Sequence, residues 1–153
     1  MNRVMATKEI TIQQSSIGFL TQLAKNNNRE WFNTNKHLYL DAHSNIVAFA
    51  DALLEEMSRH DTIETPSGKD SVFRIYKDVR FSKDKTPYNT HFSGSFKRAT
   101  KKLRGGYYFN ITPASSFIAG GFWGPNTDDM RRIRQDIDYN YPIGIKCLTI
   151  KPW

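Results

Sequence analysis

One stretch of the chain decides the helical half of the fold: Lys36-His-Leu-Tyr-Leu-Asp-Ala-His-Ser-Asn-Ile-Val-Ala-Phe-Ala-Asp-Ala-Leu-Leu-Glu-Glu-Met-Ser-Arg-His60. Its apolar side chains recur every three or four positions over about six turns, which is the period of an amphipathic helix. These side chains belong to Tyr39, Ala42, Ile46, Phe49, Ala50, Leu53 and Met57. We therefore expect a long helix with one face on a hydrophobic core.

Two shorter helices are expected upstream of this long helix. Residues 12–25 repeat the same apolar spacing, and the run Asn26-Asn-Asn28 interrupts it, because asparagine favours helix ends over helix interiors. Asn28, followed by Glu30 and Trp31, is then expected to cap a second short helix. The pattern predicts a tight corner between two helices.

A sheet is expected after a loop at residues 65–68. From there the apolar period changes from 3.6 to 2, which is typical of a strand with one buried face. The apolar side of the first strand is Phe73, Ile75, Val79 and Phe81. Further strands are expected at residues 91–97, 107–112 and 117–123, and the short turns between them favour antiparallel pairing. Gly120 and Gly121 favour a bulge or a close backbone approach.

A last helix is expected near Asn126, where a capping residue precedes apolar side chains at helical spacing. Its apolar positions are Met130, Ile133 and Ile137. Together these patterns predict one α+β domain over residues 1–153. N-terminal helices would pack on a mostly antiparallel sheet, and a short C-terminal helix would follow.

Composition limits the class of protein. A length of 153 residues suits one globular domain with a sizeable core. No apolar run reaches the roughly 20 residues of a membrane span, and the N-terminus has no signal-peptide run, so we expect a cytoplasmic protein outside the membrane. Cys147 is the only cysteine, which excludes an internal disulfide. The four histidines lack the spacing of a metal-binding motif, so we expect no metal and no cofactor.

The positive charge of the chain is concentrated in one region. Residues 69–104 contain 11 Lys or Arg and 3 Asp, whereas the other 117 residues contain 11 basic and 12 acidic side chains. A local excess of charge creates a field with a direction, which favours an anionic partner.

A candidate anion site lies in the first strand of this region. On a regular strand, Arg74, Asp78 and Arg80 would project from one face because side chains alternate. Two guanidinium forks could then engage one phosphate or carboxylate while Asp78 holds them in place. The predicted ligand-binding residues are Arg74, Asp78, Arg80, Lys83, Lys85, Thr86 and Tyr88. The alternative is a solvent-facing salt-bridge ladder, typically worth under about 1 kcal/mol per exposed pair.

The same segment offers three candidate catalytic groups, Asp78, Asp84 and His91. A carboxylate could act as a base beside a bound anion, and a histidine titrates near neutral pH. A histidine in a strand is more often a packing or surface residue, so it does not by itself indicate catalysis. No phosphate-binding glycine loop, nucleophile elbow or paired-carboxylate spacing accompanies these groups. The sequence leaves open whether the protein is an enzyme acting on a small anionic substrate.

Nucleic acid is the alternative partner, and it would make the protein a binding module. Exposed aromatic rings can stack bases while cations contact phosphates. The residues in question are Lys97, Arg98, Lys101, Lys102, Arg104, Tyr107, Tyr108 and Phe109. Strand alternation must bury at least one of the three rings, and the RNP-type aromatic signature is absent, so small-anion binding is the preferred interpretation. The sequence does not indicate an oligomeric state.

The helix corner at residues 26–35 has both a structural and a functional interpretation. Trp31 and Phe32 are expected to anchor the corner in the core, which favours a structural role. A ligand role for Asn28, Arg29 or Asn35 would follow only if the corner lay beside the basic strand.

Several long motifs occur in an order that matches one family. Residues 19–23 read Phe-Leu-Thr-Gln-Leu, residues 26–36 read Asn-Asn-Asn-Arg-Glu-Trp-Phe-Asn-Thr-Asn-Lys, and residues 73–88 read Phe-Arg-Ile-Tyr-Lys-Asp-Val-Arg-Phe-Ser-Lys-Asp-Lys-Thr-Pro-Tyr. Gly106-Tyr-Tyr-Phe109, Gly120-Gly-Phe-Trp123 and residues 131–138 follow. Over residues 17–140 the chain resembles the bacterial and fungal family known as domain of unknown function 2461. The resemblance implies a single α+β domain and supplies no established activity, substrate or cofactor.

Residues 141–153 depart from this resemblance. Family members carry further helical sequence there, whereas this chain has Pro142, Gly144 and Pro152 around a short apolar run with Cys147. The departure predicts a C-terminally truncated or frameshifted copy, and it leaves open whether such a copy is active and fully packed.

Overall fold

The computed structural model describes residues 10–99 and 105–142. The chain divides into two compact units, Met1–Gly121 and Phe122–Trp153. Among the described residues, the first unit contains four helices and a three-stranded sheet, and the second contains one helix. The single domain over residues 1–153 stays a prediction. Within the described ranges, no helix is long and apolar enough to cross a membrane.

Two helices of the first unit pack through the faces that the apolar period predicts. Helix α1, Gln14–Lys25, and helix α3, Lys36–Met57, lie against each other. Asn45 of α3 pins the start of α1, because its Oδ1 accepts hydrogen bonds from the Gln13 N–H and from the Ser16 hydroxyl, each at 2.9 Å. The buried residues of the pair are Ser16, Phe19, Leu20, Leu23, Ala42, Ile46 and Ala50. The long helix is therefore confirmed.

Helix α2, Arg29–Thr34, forms the predicted corner between these helices. Asn28 caps it, because its side chain accepts a hydrogen bond from the Trp31 N–H at 2.9 Å. Phe32, on the inner face of this short helix, is 1% exposed and enters the core.

Three antiparallel strands follow in the order β1-β2-β3: Phe92–Lys97, Gly106–Ile111 and Phe117–Gly121. Their inner face meets the helices, as the contact between the rings of Phe49 and Phe109 at 5.9 Å shows. The buried side chains of this face are Phe92, Phe96, Phe109 and Ile111. The α+β class, with N-terminal helices on an antiparallel sheet, is confirmed.

The prediction of a regular first strand at residues 73–81 is wrong. Of its expected buried side, Ile75 is buried, whereas Phe73 is 49% exposed and Phe81 is 95% exposed. Within the described residues, the β pairing of this part of the chain is limited to two isolated bridges, Val72 with Gly94 and Tyr76 with Tyr88. The physical reason is local, because Asp78 in the segment and Asp84 just after it accept hydrogen bonds from nearby backbone N–H groups, and these bonds compete with a ladder.

A one-turn helix, α4, occupies Gly68–Ser71, where the sequence indicates only a loop. Ser67 caps it, and Asp51 of α3 accepts a hydrogen bond from the Gly68 N–H at 2.6 Å. A Cβ at Gly68 would lie 2.7 Å from the carbonyl oxygen of Val47, so only glycine allows this close approach.

The C-terminal helix is confirmed as α5, Thr127–Tyr139, in the second unit. Asn126 and Asp129 form a reciprocal capping box at its start. No residue of α5 is buried, and Ile137 is 54% exposed. The residues after 142, including Cys147, lie outside the described part of the chain.

Candidate functional site

The basic loop, which we define as residues 74–88, is closed by backbone contacts at its base. The Lys77 N–H donates to the Pro87 carbonyl at 2.9 Å, and the Asn89 N–H donates to the Ile75 carbonyl at 2.8 Å. Tyr76 and Tyr88 pair between these two hydrogen bonds. The two ends of the loop are therefore held together although it lacks a regular strand.

A network of three side chains cross-links the inside of the loop. Lys77 Nζ lies 2.9 Å from both Asp84 Oδ2 and Thr86 Oγ1. Asp84 Oδ1 in turn accepts hydrogen bonds from the Thr86 N–H at 2.9 Å and from its hydroxyl at 2.8 Å. The hydrogen bond from Lys77 is the main reason why the pKa of Asp84 lies far below 3.8. Asp84 is therefore ionised at neutral pH and holds the loop in one shape.

A second, exposed ion pair joins Asp78 and Arg80. Arg80 Nε donates to Asp78 Oδ1 at 2.9 Å, and Arg80 Nη2 donates to Oδ2 at 2.6 Å. The hydrogen bonds from Arg80, and then the charge of Arg74, lower the pKa of Asp78. The charges of Arg74 and Arg80 thus both act on Asp78, and the Arg80 side chain is 77% exposed.

The other cations of the loop have no carboxylate partner. Lys85 Nζ donates to the Val79 carbonyl at 3.0 Å. In the part of the chain that the structure describes, Arg74 and Lys83 form no hydrogen bond or ion pair. Three cations of the loop are therefore not neutralised by a hydrogen-bonded acid.

The helix corner lies directly beside the basic loop, which is the condition for considering it as part of a site. Asn27 makes a reciprocal pair of hydrogen bonds with the backbone of Tyr88, through Nδ2 to the carbonyl at 2.9 Å and through Oδ1 from the N–H at 3.1 Å. The Tyr88 ring stacks on Phe32 with centroids 4.0 Å apart. Arg29 is near enough for its charge to oppose the rise that burial causes in the Tyr88 pKa. Asn28 and Asn35 instead make hydrogen bonds within the corner.

The Tyr88 hydroxyl is available to a ligand or to water. Tyr88 is only 3% exposed, yet its hydroxyl makes no hydrogen bond to any described residue. No buried side-chain oxygen or nitrogen of these residues lacks a partner. The hydroxyl oxygen must therefore reach the surface, where it can donate a hydrogen bond.

His91 follows the loop and is half-buried. Burial, and then the charge of Lys77, lowers its pKa below 6.5. The imidazole is therefore neutral at pH 7, and it has no hydrogen-bond partner among the described residues. Within the same residues, no cluster of three or more His, Cys, Asp or Glu side chains could hold a metal ion.

Part of the basic surface considered for nucleic acid has a structural role instead. Arg98 Nε donates to Asp61 Oδ2 at 2.5 Å, and the Tyr107 hydroxyl donates to the same oxygen at 2.7 Å. The hydrogen bond from Arg98 is the main reason why the pKa of Asp61 falls to about 2. The sequence analysis missed the roles of Asp61 and Asn27, because their hydrogen-bond partners lie 37 to 61 positions away in the chain. Lys101, Lys102 and Arg104 lie outside the described residues.

Residues 15–149 match the profile of the family described as conserved hypothetical protein, DUF2461. The chain belongs to the DUF2461 family. The basic loop, the helix corner and His91 all lie within the DUF2461 match, which confirms the resemblance seen in the motifs. The match extends to residue 149 and so includes most of the segment that we expected to depart from the family. The chain matches no curated protein and no solved structure.

Proposed function

We propose that this DUF2461 protein binds a small anionic ligand, a phosphate or a carboxylate, at the basic loop. The observation that carries the proposal is the surplus of positive charge on a cross-linked loop. Among the described residues, Arg74 and Lys83 form no hydrogen bond or ion pair, and Lys85 is hydrogen-bonded to a carbonyl and not to an acid. Uncompensated cations that lie close together lower the free energy of a bound anion.

Arg80 supplies the directional part of the proposed site. Its Nε and Nη2 engage Asp78, which leaves Nη1 and the second N–H of Nη2 free for another acceptor. A carboxylate or phosphate could bind this second edge in a fork, while Asp78 fixes the plane of the guanidinium. Arg74, whose charge also acts on Asp78, would add charge to the same ligand.

The cross-linked loop supports binding by reducing its entropic cost. The network of Lys77, Asp84 and Thr86 orders the loop before any ligand arrives. A ligand then need not pay the conformational entropy of ordering these residues. The Tyr88 hydroxyl and the nearby Arg29 extend the donor set toward the helix corner.

A reaction at this site would use His91 rather than Asp78 or Asp84. Both carboxylates have lowered pKa values and hold cations, so each is a weak base at neutral pH. His91 is neutral at pH 7 and has a free nitrogen lone pair, which suits a general base. The proposal therefore extends to an enzyme that acts on a small anionic substrate, with His91 as its general base.

Calorimetric titration with phosphate, citrate and a nucleoside monophosphate tests the site. We expect Arg80→Ala to weaken binding by about tenfold or more, because a charge-assisted hydrogen bond contributes about 1.5–3 kcal/mol. Arg80→Lys should lose much of the affinity too, since lysine keeps the charge but not the fork. Arg74→Ala should also weaken binding of the anion, because it removes the second cation of the proposed site.

Arg59→Ala is the matched control, because Arg59 is an exposed arginine just after α3 that pairs with Glu55 and Glu56. It removes the same charge from a different surface and should leave binding unchanged. The proposal fails if Arg80→Ala and Arg74→Ala each bind every anion of the panel as tightly as Arg59→Ala does.

A further inference from the structure

Three aromatic rings lie in a row on the outer face of the sheet. The aromatic row consists of Phe73, Tyr108 and Phe117. The ring centroids of Phe73 and Tyr108 are 6.5 Å apart, and those of Tyr108 and Phe117 are 5.8 Å apart. Phe73 is 49% exposed and Phe117 is 50% exposed. The row therefore presents ring surface to solvent on three neighbouring segments.

Strand alternation places this row opposite the core. Phe109 points inward against Phe49, so its neighbour Tyr108 points outward. Tyr108 pairs with Ser95, whose small side chain leaves room for the rings of Phe73 and Tyr108 to approach each other above β1. The contact between the rings of Phe49 and Phe109 places α3 on the inner face.

The charge around the row favours a polyanion. The residues of β1, β2 and β3 include no Asp or Glu, whereas Lys97 is exposed at the end of β1. Arg74 follows Phe73 directly and forms no hydrogen bond or ion pair with a described residue. Glu64 is an acid near this end of β1, because its N–H donates to the Lys97 carbonyl at 2.8 Å.

Aromatic rings with cations beside them match the chemistry of an unpaired nucleic-acid strand. Every base has a π face that can stack on a phenyl or phenol ring, and the phosphates between bases need positive charge. A duplex hides its base faces, so the rings would have nothing to stack on. We propose that the aromatic row binds single-stranded nucleic acid, with bases on Phe73, Tyr108 and Phe117 and phosphates near Lys97 and Arg74. This proposal does not depend on the small-anion site.

Fluorescence anisotropy with a labelled oligothymidylate of about 15 nucleotides tests the row directly. We expect Phe73→Ala and Phe117→Ala each to weaken binding by at least about fivefold, because stacking on one ring contributes about 1–3 kcal/mol. The salt dependence between about 50 and 200 mM should keep its slope, since the phosphate contacts remain. Lys97→Ala should instead reduce that slope by about 0.7.

Phe81→Ala is the matched control, because Phe81 is a 95% exposed phenylalanine on the basic loop and not on the sheet. It should bind the oligonucleotide as the parent chain does. Phe73→Leu and Phe117→Leu keep apolar volume and remove the π face, so they provide the same test if an alanine variant melts early. Duplex DNA of equal length should bind more weakly than the single strand.

Three results would overturn the proposal. The Phe73→Ala/Phe117→Ala double variant could bind the oligonucleotide as tightly as the parent. Inorganic polyphosphate of equal charge could bind as tightly as the oligonucleotide, which would make the bases irrelevant. Sedimentation could show a dimer of the parent chain that the double variant dissociates, with no change in oligonucleotide binding, which would make the row an interface between copies.

Discussion

Asn27→Ala is the sharpest test of how the helix corner and the basic loop are joined. The Asn27 amide satisfies both backbone groups of Tyr88, at 2.9 and 3.1 Å, and Tyr88 is 3% exposed. Alanine would leave a backbone N–H and a carbonyl with no partner in a largely buried position. Each such group costs about 1–3 kcal/mol, so we expect a loss of about 2–6 kcal/mol in the free energy of unfolding. For a chain of this size that loss lowers the melting temperature by roughly 4–24 °C.

Urea unfolding followed by circular dichroism measures this loss. Asn33→Ala is the matched control, because Asn33 is an exposed asparagine of α2 that forms no hydrogen bond with another described side chain. It should change the free energy of unfolding by less than about 0.5 kcal/mol. If Asn27→Ala loses no more stability than Asn33→Ala, the two hydrogen bonds do not hold the corner to the loop, and the reasoning is refuted.

Three further predictions concern the sheet and two titrating groups. Gly94→Ala should destabilise the protein by about 1–3 kcal/mol in urea unfolding, because its Cβ would lie 2.5 Å from a buried ring, whereas Gly121→Ala meets nothing within 4 Å and should not. Burial lowers the folded-state pKa of His91 below 6.5, so its contribution to stability is complete above about pH 6.5 and is lost as the pH falls below it. Melting temperatures measured across this range should fall less in His91→Gln than in the parent. The Arg98 hydrogen bond lowers the pKa of Asp61 from 3.8 to about 2, so the stability it provides is present above pH 3.8 and is lost as the pH falls toward 2. Acid unfolding of Asp61→Asn should lack this transition, and an unchanged acid profile would contradict the assignment.

The helices could be predicted because their signals are local. Residues that repeat at helical spacing specify α3, and a single capping residue, Asn28, marks the start of α2. The same holds for α5, where Asn126 and Asp129 form the capping box. Each of these features depends on side chains within a few positions of one another, so a single sequence is sufficient to find them.

The irregular course of residues 73–81 could not be predicted from the sequence. An alternating apolar pattern does not show which local hydrogen bonds compete with the cross-strand hydrogen bonds of a ladder. Asp78 and Asp84 accept hydrogen bonds from backbone N–H groups two residues ahead, and these local bonds replace cross-strand ones. Phe73 leaves the core side and contacts the ring of Tyr108 on the outer face. The apolar period therefore correctly predicted that residues 73–81 lie near the sheet, but it wrongly predicted that they form a regular strand of it.

The composition of the candidate site was partly visible in the sequence, but its geometry was not. The sequence indicates that Arg74, Asp78 and Arg80 belong together, and both arginines act on Asp78 in the folded chain. Nothing in the sequence indicates that Asn27 reaches across 61 positions to Tyr88. Such a pairing depends on the tertiary fold, which brings the corner and the loop together.

The position of Trp31 gives the molecule an internal optical probe. Its indole lies 6.3 Å from the Phe19 ring, next to the residue on which Tyr88 stacks, whereas Trp123 is 98% exposed. Replacing Trp123 and Trp153 by phenylalanine would leave one emitter at the joint between helices and loop. Its emission would then follow any tightening or loosening of that joint, so occupancy could be read from the unlabelled protein as ligand is added.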